Sequence, residues 1–189
     1  MGNWSDAEYW NHVSKLPITS SPIDNYMYVV DCVIGDYVAH TDHDDWSLCV
    51  FDSTTSISSI FGEELEYTVI DESLHITHDS SYVNNGKDPM VVETLGLNFT
   101  GIDSSVGWCI GNYDPHTTIC IEHQRMALLT AQNNAEDAQY ELPFRLYHEP
   151  VQAIIGLGAG DPATDPYGEF NLIQSAYEEG LLKNNTYSF

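Results

Sequence analysis

Asp52 is the carboxylate in this chain whose setting suits chemistry. It follows the apolar pair Val50-Phe51 and opens directly into Ser53-Thr54-Thr55-Ser56, a turn of small hydroxyl residues. A carboxylate held there can exchange protons with a water or a substrate hydroxyl, which is general acid–base chemistry. The same pattern fits an ordinary turn in which aspartate and hydroxyls bond local backbone. The run His40-Thr41-Asp42-His43-Asp44-Asp45 collects imidazoles and carboxylates able to hold zinc or another divalent ion. Its place between two apolar runs reads instead as a solvated hairpin tip. His75 and His78 are read the same way, so no metal and no cofactor is expected. Asp79-Ser80-Ser81 and Asp103-Ser104-Ser105 repeat the Asp-Ser theme without an apolar strand before it, so neither supplies a second reactive aspartate. Asp161 and Asp165 beside Gly160 read as a solvated acidic loop. Gly156, Gly158 and Gly160 lack the lysine and helix of a phosphate loop, and no Ser-His-Asp or Cys-His arrangement can be argued from the spacing.

The elements that must position Asp52 are short strands. Apolar runs recur at 26–34, 46–51, 65–70, 90–92, 106–110, 117–121, 126–130 and 151–157, rich in Val, Ile, Tyr and Trp and bounded by Gly, Asp, Asn and Pro. This pattern predicts an all-β sandwich or barrel. Residues 35–45 and 71–88 read as loops, with Asn84-Asn85-Gly86 marking a turn. One main helix is expected over 170–182, from apolar residues at 172, 173, 176 and 181 and Gly180 near its end. A lesser helical patch covers 131–140. Residues 1–23 form a polar lead-in, and 24–189 form one domain long enough to bury a full core.

Asp and Glu number 29 against 5 Lys and Arg, a formal charge of −24. Nucleic acid and anionic membrane surfaces are excluded as partners, because both demand clustered cations. Carboxylates titrate near about pH 4, so the self-repulsion fades in acid. With 18% of residues charged and the remaining polarity in Ser, Thr and Asn, an acidic or secretory setting fits better than a halophilic surface. Four cysteines allow three connectivities, or four buried thiols. Strand placement favours Cys32 with Cys49 and Cys109 with Cys120, since neighbouring antiparallel strands bring Cα atoms into bonding range. Acceptor triplets for glycosylation begin at Asn3, Asn98 and Asn184. No apolar run reaches the roughly 18 residues of a membrane span, and the start, Met1-Gly2-Asn3-Trp4, has neither the basic nor the apolar region of a signal peptide.

The segment Val50-Phe51-Asp52-Ser53-Thr54-Thr55 resembles the active-site loop of the pepsin-like aspartic endopeptidases, whose pattern is two apolar residues, Asp, Thr or Ser, Gly, then Ser or Thr. Val151-Gln152-Ala153-Ile154-Ile155-Gly156-Leu157-Gly158 resembles the family's Phe-Asp-Gly-Ile-Leu-Gly-Leu-Gly strand. Asn171-Leu172-Ile173, through Glu179-Gly180-Leu181-Leu182-Lys183 to Tyr187-Ser188-Phe189, resembles the helix and exit strand that close the family's amino-terminal lobe. Order and spacing agree over residues 24–189.

The resemblance implies a pepsin-like lobe in which Asp52 is one half of a catalytic dyad that activates water against a peptide bond. It implies that Ser53 ties the turn to the partner lobe and that Thr55 hydrogen-bonds the aspartate. The second aspartate would come from a carboxyl-terminal lobe, on another chain or in a missing segment, and the two would share a proton. The hairpin Phe99-Thr100-Gly101-Ile102-Asp103 resembles the family's flap over a peptide or protein ligand. Three positions depart from the pattern. Thr54 replaces the glycine, and its Cβ and branches are expected to crowd the backbone N–H that faces the shared proton. Ser59 stands near the family's tryptophan. Thr100 falls at the flap tyrosine, with Phe99 as a neighbouring substitute. These departures carry the alternative, a catalytically inactive homologue that keeps the cleft to bind a peptide, protein or glycan. Either form is expected to be secreted, in an extracellular or acidic vesicular compartment.

Overall fold

β-Branched and aromatic residues dominate the apolar runs, and those runs form strands because such side chains pack well on a pleated surface. The computed structural model describes residues 18–20, 28–35, 47–62, 76–86, 88–111, 118–133, 151–160, 163 and 165–184. In these the strands are β1 (Ile18–Ser20), β2 (Tyr28–Ile34), β3 (Ser47–Asp52), β4 (Ser59–Phe61), β5 (Val83–Asn84), β6 (Met90–Thr94), β7 (Leu97–Ile110), β8 (Ile119–Gln132) and β9 (Val151–Gly156). One α-helix, α1 (Leu172–Glu178), follows them. The chain is all-β in class.

The strands belong to one sheet in the order β1-β2-β3-β9-β4-β8-β7-β5, with β6 added to β7. A further pairing, Cys32 with Ile110 through Ile34 with Trp108, joins β2 to β7 and closes a ring of β2, β3, β9, β4, β8 and β7. Closure removes the unpaired edges that an open sheet would present. Side chains alternate across the ring strands. Val30, Cys32, Ile34, Cys49, Ile155, Met126 and Trp108 pack in one cluster together with Leu172, Ile173 and Ala176 of α1. Val29, Val50, Ile154, Ala127, Leu129 and Phe99 pack in a second cluster with Val92 of β6. Both faces are thus apolar, which is why the runs read as continuous rather than alternating.

Several expectations are corrected. The runs at 117–121 and 126–130 are one strand, β8, because the polar residues between them stay in the ladder: Arg125 pairs with Ser105 and Gln124 with Val106. The run 106–110 is likewise the end of a 14-residue strand. Residues 131 and 132 continue β8 rather than starting a helix. The helix is shorter than 170–182, for Asn171 caps its start by accepting from the N–H groups of Ile173 and Gln174, and Gly180, at φ 77°, follows its end. Within 71–88 a short 3₁₀ turn, Ile76–His78, and β5 occur. The turn at 84–86 forms, with the Gly86 N–H donating to Asn84 Oδ1 at 2.7 Å. The runs and loops at 65–70 and 36–45, and with them the His40–Asp45 cluster and His75, lie outside the described residues.

Cys32 bonds Cys49 and Cys109 bonds Cys120, as the strand placement predicted. Cys109 and Cys120 are direct cross-strand partners in β7 and β8. The first bond ties β2 to β3 and the second ties β7 to β8, so each locks a seam of the ring. Each closes a short loop, and by chain entropy each contributes about 3 kcal/mol. Replacing either pair with serine should lower the unfolding free energy by about that amount in urea titrations, and non-reducing peptide maps should recover only the 32–49 and 109–120 linked peptides.

Candidate functional site

Asp52 ends β3, with Gly156 of the parallel strand β9 as its register partner. The chain then crosses the end of β9 and re-enters the ring as β4 on the other side. Residues 53–58 therefore lie directly on the backbone of β9 and its exit. The Leu157 N–H donates to the Asp52 carbonyl at 2.8 Å and the Gly158 N–H to the Thr55 carbonyl at 2.7 Å. The Gly156 N–H donates to Ser58 Oγ at 3.3 Å. A Cβ on Gly156 would fall 2.6 Å from the Ser56 carbonyl carbon, and one on Gly158 would fall 2.8 Å from that of Thr55. Both positions require glycine because backbone meets backbone there.

The Asp52 side chain is buried, 6% exposed, and its carboxylate accepts from four donors. Oδ1 accepts from the Thr54 N–H at 2.8 Å and the Thr54 hydroxyl at 2.6 Å. Oδ2 accepts from the Thr94 hydroxyl and the Leu95 N–H, each at 2.8 Å. A carboxylate offers about four lone-pair positions, so its accepting capacity is filled. Burial pushes the carboxyl pKa up, but the bonds from the Thr54 side chain and N–H, the Leu95 N–H and the Thr94 hydroxyl outweigh it and hold the pKa below its ordinary value.

Two site expectations change. Thr54 does not obstruct the turn: among the described residues only Leu95 combines a side chain with positive φ, so Thr54 sits without left-handed strain, and its branch supplies a donor to Asp52. The loop hydroxyl on the aspartate is that of Thr54, whereas the Thr55 hydroxyl accepts from the Ile57 N–H at 3.1 Å. Ser53 is exposed beside them, and Ser59 is buried in β4, its hydroxyl donating to the Ile57 carbonyl at 3.3 Å.

The expected flap segment is not a hairpin of its own. Phe99, Thr100, Gly101 and Asp103 lie within β7. Phe99 is fully buried with its ring edge-on to Phe61, which makes it a core residue. Thr100 donates its hydroxyl to Asn133 Oδ1 at 2.7 Å, and Gly101 is buried near Ala127 and Val92. The turn that reaches the aspartate is Leu95-Gly96, between β6 and β7, with φ of 56° and 74°. Thr94 and Leu95 were missed because the turn carries a leucine where Asn or Asp usually precedes glycine; Gly96 after the run 90–92 was the available signal.

Asp103 is structural. Its carboxylate takes Nε and Nη2 of Arg125 at 3.0 and 2.7 Å and the Asn85 amide at 2.8 Å. Arg125 also pairs with Glu169 and lies 4.4 Å over the Phe170 ring. The Asp103 bond, chiefly, raises the guanidinium pKa further. A polar cleft of about 550 Å³ opens here, walled by His123, Arg125, Glu169, Glu178 and Glu179. It lies near Ser105, roughly 26 Å along β7 from Leu97 at about 3.3 Å per residue, and is separate from Asp52.

Asp79 repeats the local turn of Asp52: the Ser81 N–H and hydroxyl donate to Asp79 Oδ1 at 2.8 and 2.5 Å. The Thr54 bonds alone are therefore a generic turn, and what distinguishes Asp52 is its burial and the hairpin on Oδ2. Asp165 is not solvated; it is 4% exposed and accepts from the N–H groups of Glu169 and Phe170. Asn98 is half-buried in β7 and Asn184 exposed, while Asn3 and Asp161 lie outside the described residues. Among the described residues no group of His, Cys, Asp and Glu is arranged to hold a metal ion. No helix there is long and apolar enough to cross a membrane. Searches of protein-family models and of curated proteins find no match to the chain.

Two outcomes follow from this geometry. Gly156→Ala or Gly158→Ala should destabilise the chain by about 1–3 kcal/mol, the usual cost of overpacking, measured by urea unfolding. The lowered pKa of Asp52 means that its ionised form adds stability above about pH 4, its unfolded value, and that this is lost as pH falls through the folded pKa. The stability difference between the wild type and Asp52→Asn should accordingly shrink on acidification, and the Asp52 carboxyl carbon should titrate as one site below about pH 4 by NMR.

Proposed function

We propose that the chain is the amino-terminal lobe of a pepsin-like aspartic endopeptidase or a close homologue, in which Asp52 supplies one of two carboxylates that activate water against peptide bonds. The observation that carries this is the buried, ionised Asp52 at the end of β3, on a loop clasped by Gly156 and Gly158. A reactive carboxylate needs a rigid frame, and the close contacts at Gly156 and Gly158 supply one. The second carboxylate belongs to a carboxyl-terminal lobe on another segment or chain. Two disulfides suit an oxidising, secretory or acidic vesicular compartment.

A second reading is favoured by one observation. With four donors on Asp52, no acceptor position is left for a water, which suits an inactive homologue that binds a peptide, protein or glycan. A fluorogenic peptide assay at acid pH with pepstatin, on the longest natural chain, separates the two. Pepstatin-sensitive turnover lost in Asp52→Asn supports the enzyme; tight partner binding without turnover supports the binding protein. The isolated 189-residue chain should show no peptidase activity, for want of a second aspartate. Thr54→Gly should not restore it, and by deleting a donor it should raise the Asp52 pKa.

A further inference from the structure

The sequence holds one Asn-Gly step, Asn85-Gly86. Both residues are exposed, and they leave the end of the two-residue strand β5 at the edge of the sheet. We propose that this step is a site of spontaneous covalent modification, in which Asn85 loses its side-chain amide through a cyclic imide. The aspartate or isoaspartate that results releases the end of β5 from β7 beside Arg125.

Asparagine is among the thermolabile side chains. The Gly86 nitrogen, once its proton has passed to a base in solvent, attacks Asn85 Cγ. A C–N bond forms, the Cγ–Nδ2 bond breaks, and Nδ2 leaves as ammonia. Water then opens the imide ring at one of its two carbonyls. Addition at Cγ gives aspartate, whereas addition at the main-chain carbonyl gives isoaspartate, whose backbone runs through Cγ. Glycine suits the attack because no Cβ crowds its nitrogen, and the space where a Cβ would stand on Gly86 is open to 4 Å.

The fold restrains the step without burying it. Asn85 Nδ2 donates to Asp103 Oδ1 at 2.8 Å and to Ser105 Oγ at 3.3 Å, and the Asn85 N–H donates to the Asp103 carbonyl at 3.0 Å. The Gly86 N–H is held on Asn84 Oδ1 at 2.7 Å. β5 pairs with Ser104 and Ser105 of β7 and with no other strand, and Val83 and Asn84 are both exposed. Opening this end breaks hydrogen bonds but uncovers little apolar surface, which places it among the more readily opened parts of a fold. The product cannot remake the contacts. A carboxylate at position 85 has no N–H to give to Asp103 and stands within hydrogen-bond range of a like charge, while Arg125 is already engaged by Asp103 and Glu169. Asn85 and Ser105 also line the polar cleft, so the cleft loosens on that side.

The intact 189-residue chain, incubated in mildly alkaline buffer and mapped by mass spectrometry with fragmentation that separates aspartate from isoaspartate, tests the chemistry. Asn85 should convert before any other asparagine, and Gly86→Ala should slow the conversion by about tenfold or more, because a Cβ then crowds the attacking nitrogen. An Asn85 amide that survives while other asparagines convert, or an unchanged rate in Gly86→Ala, would overturn the proposal. Asn85→Asp carries the aspartyl product from the start and tests the release by amide hydrogen exchange at neutral pH. The amide of residue 85, corrected for its intrinsic rate, should exchange about tenfold to a hundredfold faster than in the wild type. The amides of Ala127 and Leu129, in the β7–β8 ladder, should keep their protection. Unchanged exchange at residue 85, or an equal rise at Ala127 and Leu129, would overturn the release of β5.

Discussion

The site depends on a steric constraint: β9 lies between β3 and β4, so the loop joining those two strands must pass over the end of β9. Backbone then rests on backbone, and only glycine at 156 and 158 permits the approach. Once this contact is made, the loop has little freedom. The N–H groups of Leu157 and Gly158 fix the carbonyls of Asp52 and Thr55, and Ser58 bridges to β9, to Phe170 and to Ala127. Asp52 is thus held by the frame before any side-chain interaction is counted.

That placement buries a charge, which is expensive unless donors replace the lost water. The donors come from both sides. Thr54 provides two from within the loop, and the β6–β7 hairpin provides two from above. Bonds to an ionised acceptor are among the stronger ones available to a protein, which is how the carboxyl keeps a lowered pKa despite its burial. Arg125 solves the opposite problem away from the site, where Asp103 and Glu169 neutralise a cation stacked on Phe170.

Class, most strand positions, the helix and both disulfides were legible in the sequence, because strand-forming runs, turn residues and cysteine placement are local signals. So was the setting of Asp52 at the end of an apolar strand. What was not legible is long-range. The pairing of β2 with β7 and the insertion of β9 depend on residues tens of positions apart. Thr94 and Leu95 reach Asp52 only through that topology. The merger of two runs into β8 was hidden because Gln124 and Arg125 find partners, Glu169 and Asp103, that lie far along the chain. Thr54 was expected to crowd the N–H that faces a shared proton because a glycine pattern was carried over to it, whereas its φ is not positive here and its hydroxyl bonds Asp52.

The threading of β9 also makes the site depend on contacts of high sequence separation. Its partners β3 and β4 are made about a hundred residues earlier, as the 98-residue separation of Ser58 and Gly156 records. Until β9 arrives, β3 and β4 leave a gap one strand wide, and two apolar edges face each other across it. Closing so long a loop is entropically slow, and contacts of such high sequence separation form late. Without β9, one cystine would still join β2 to β3 and the other β7 to β8, but the Asp52 loop would have lost its support. The carboxylate has its final surroundings only where the last strand of the ring is in place.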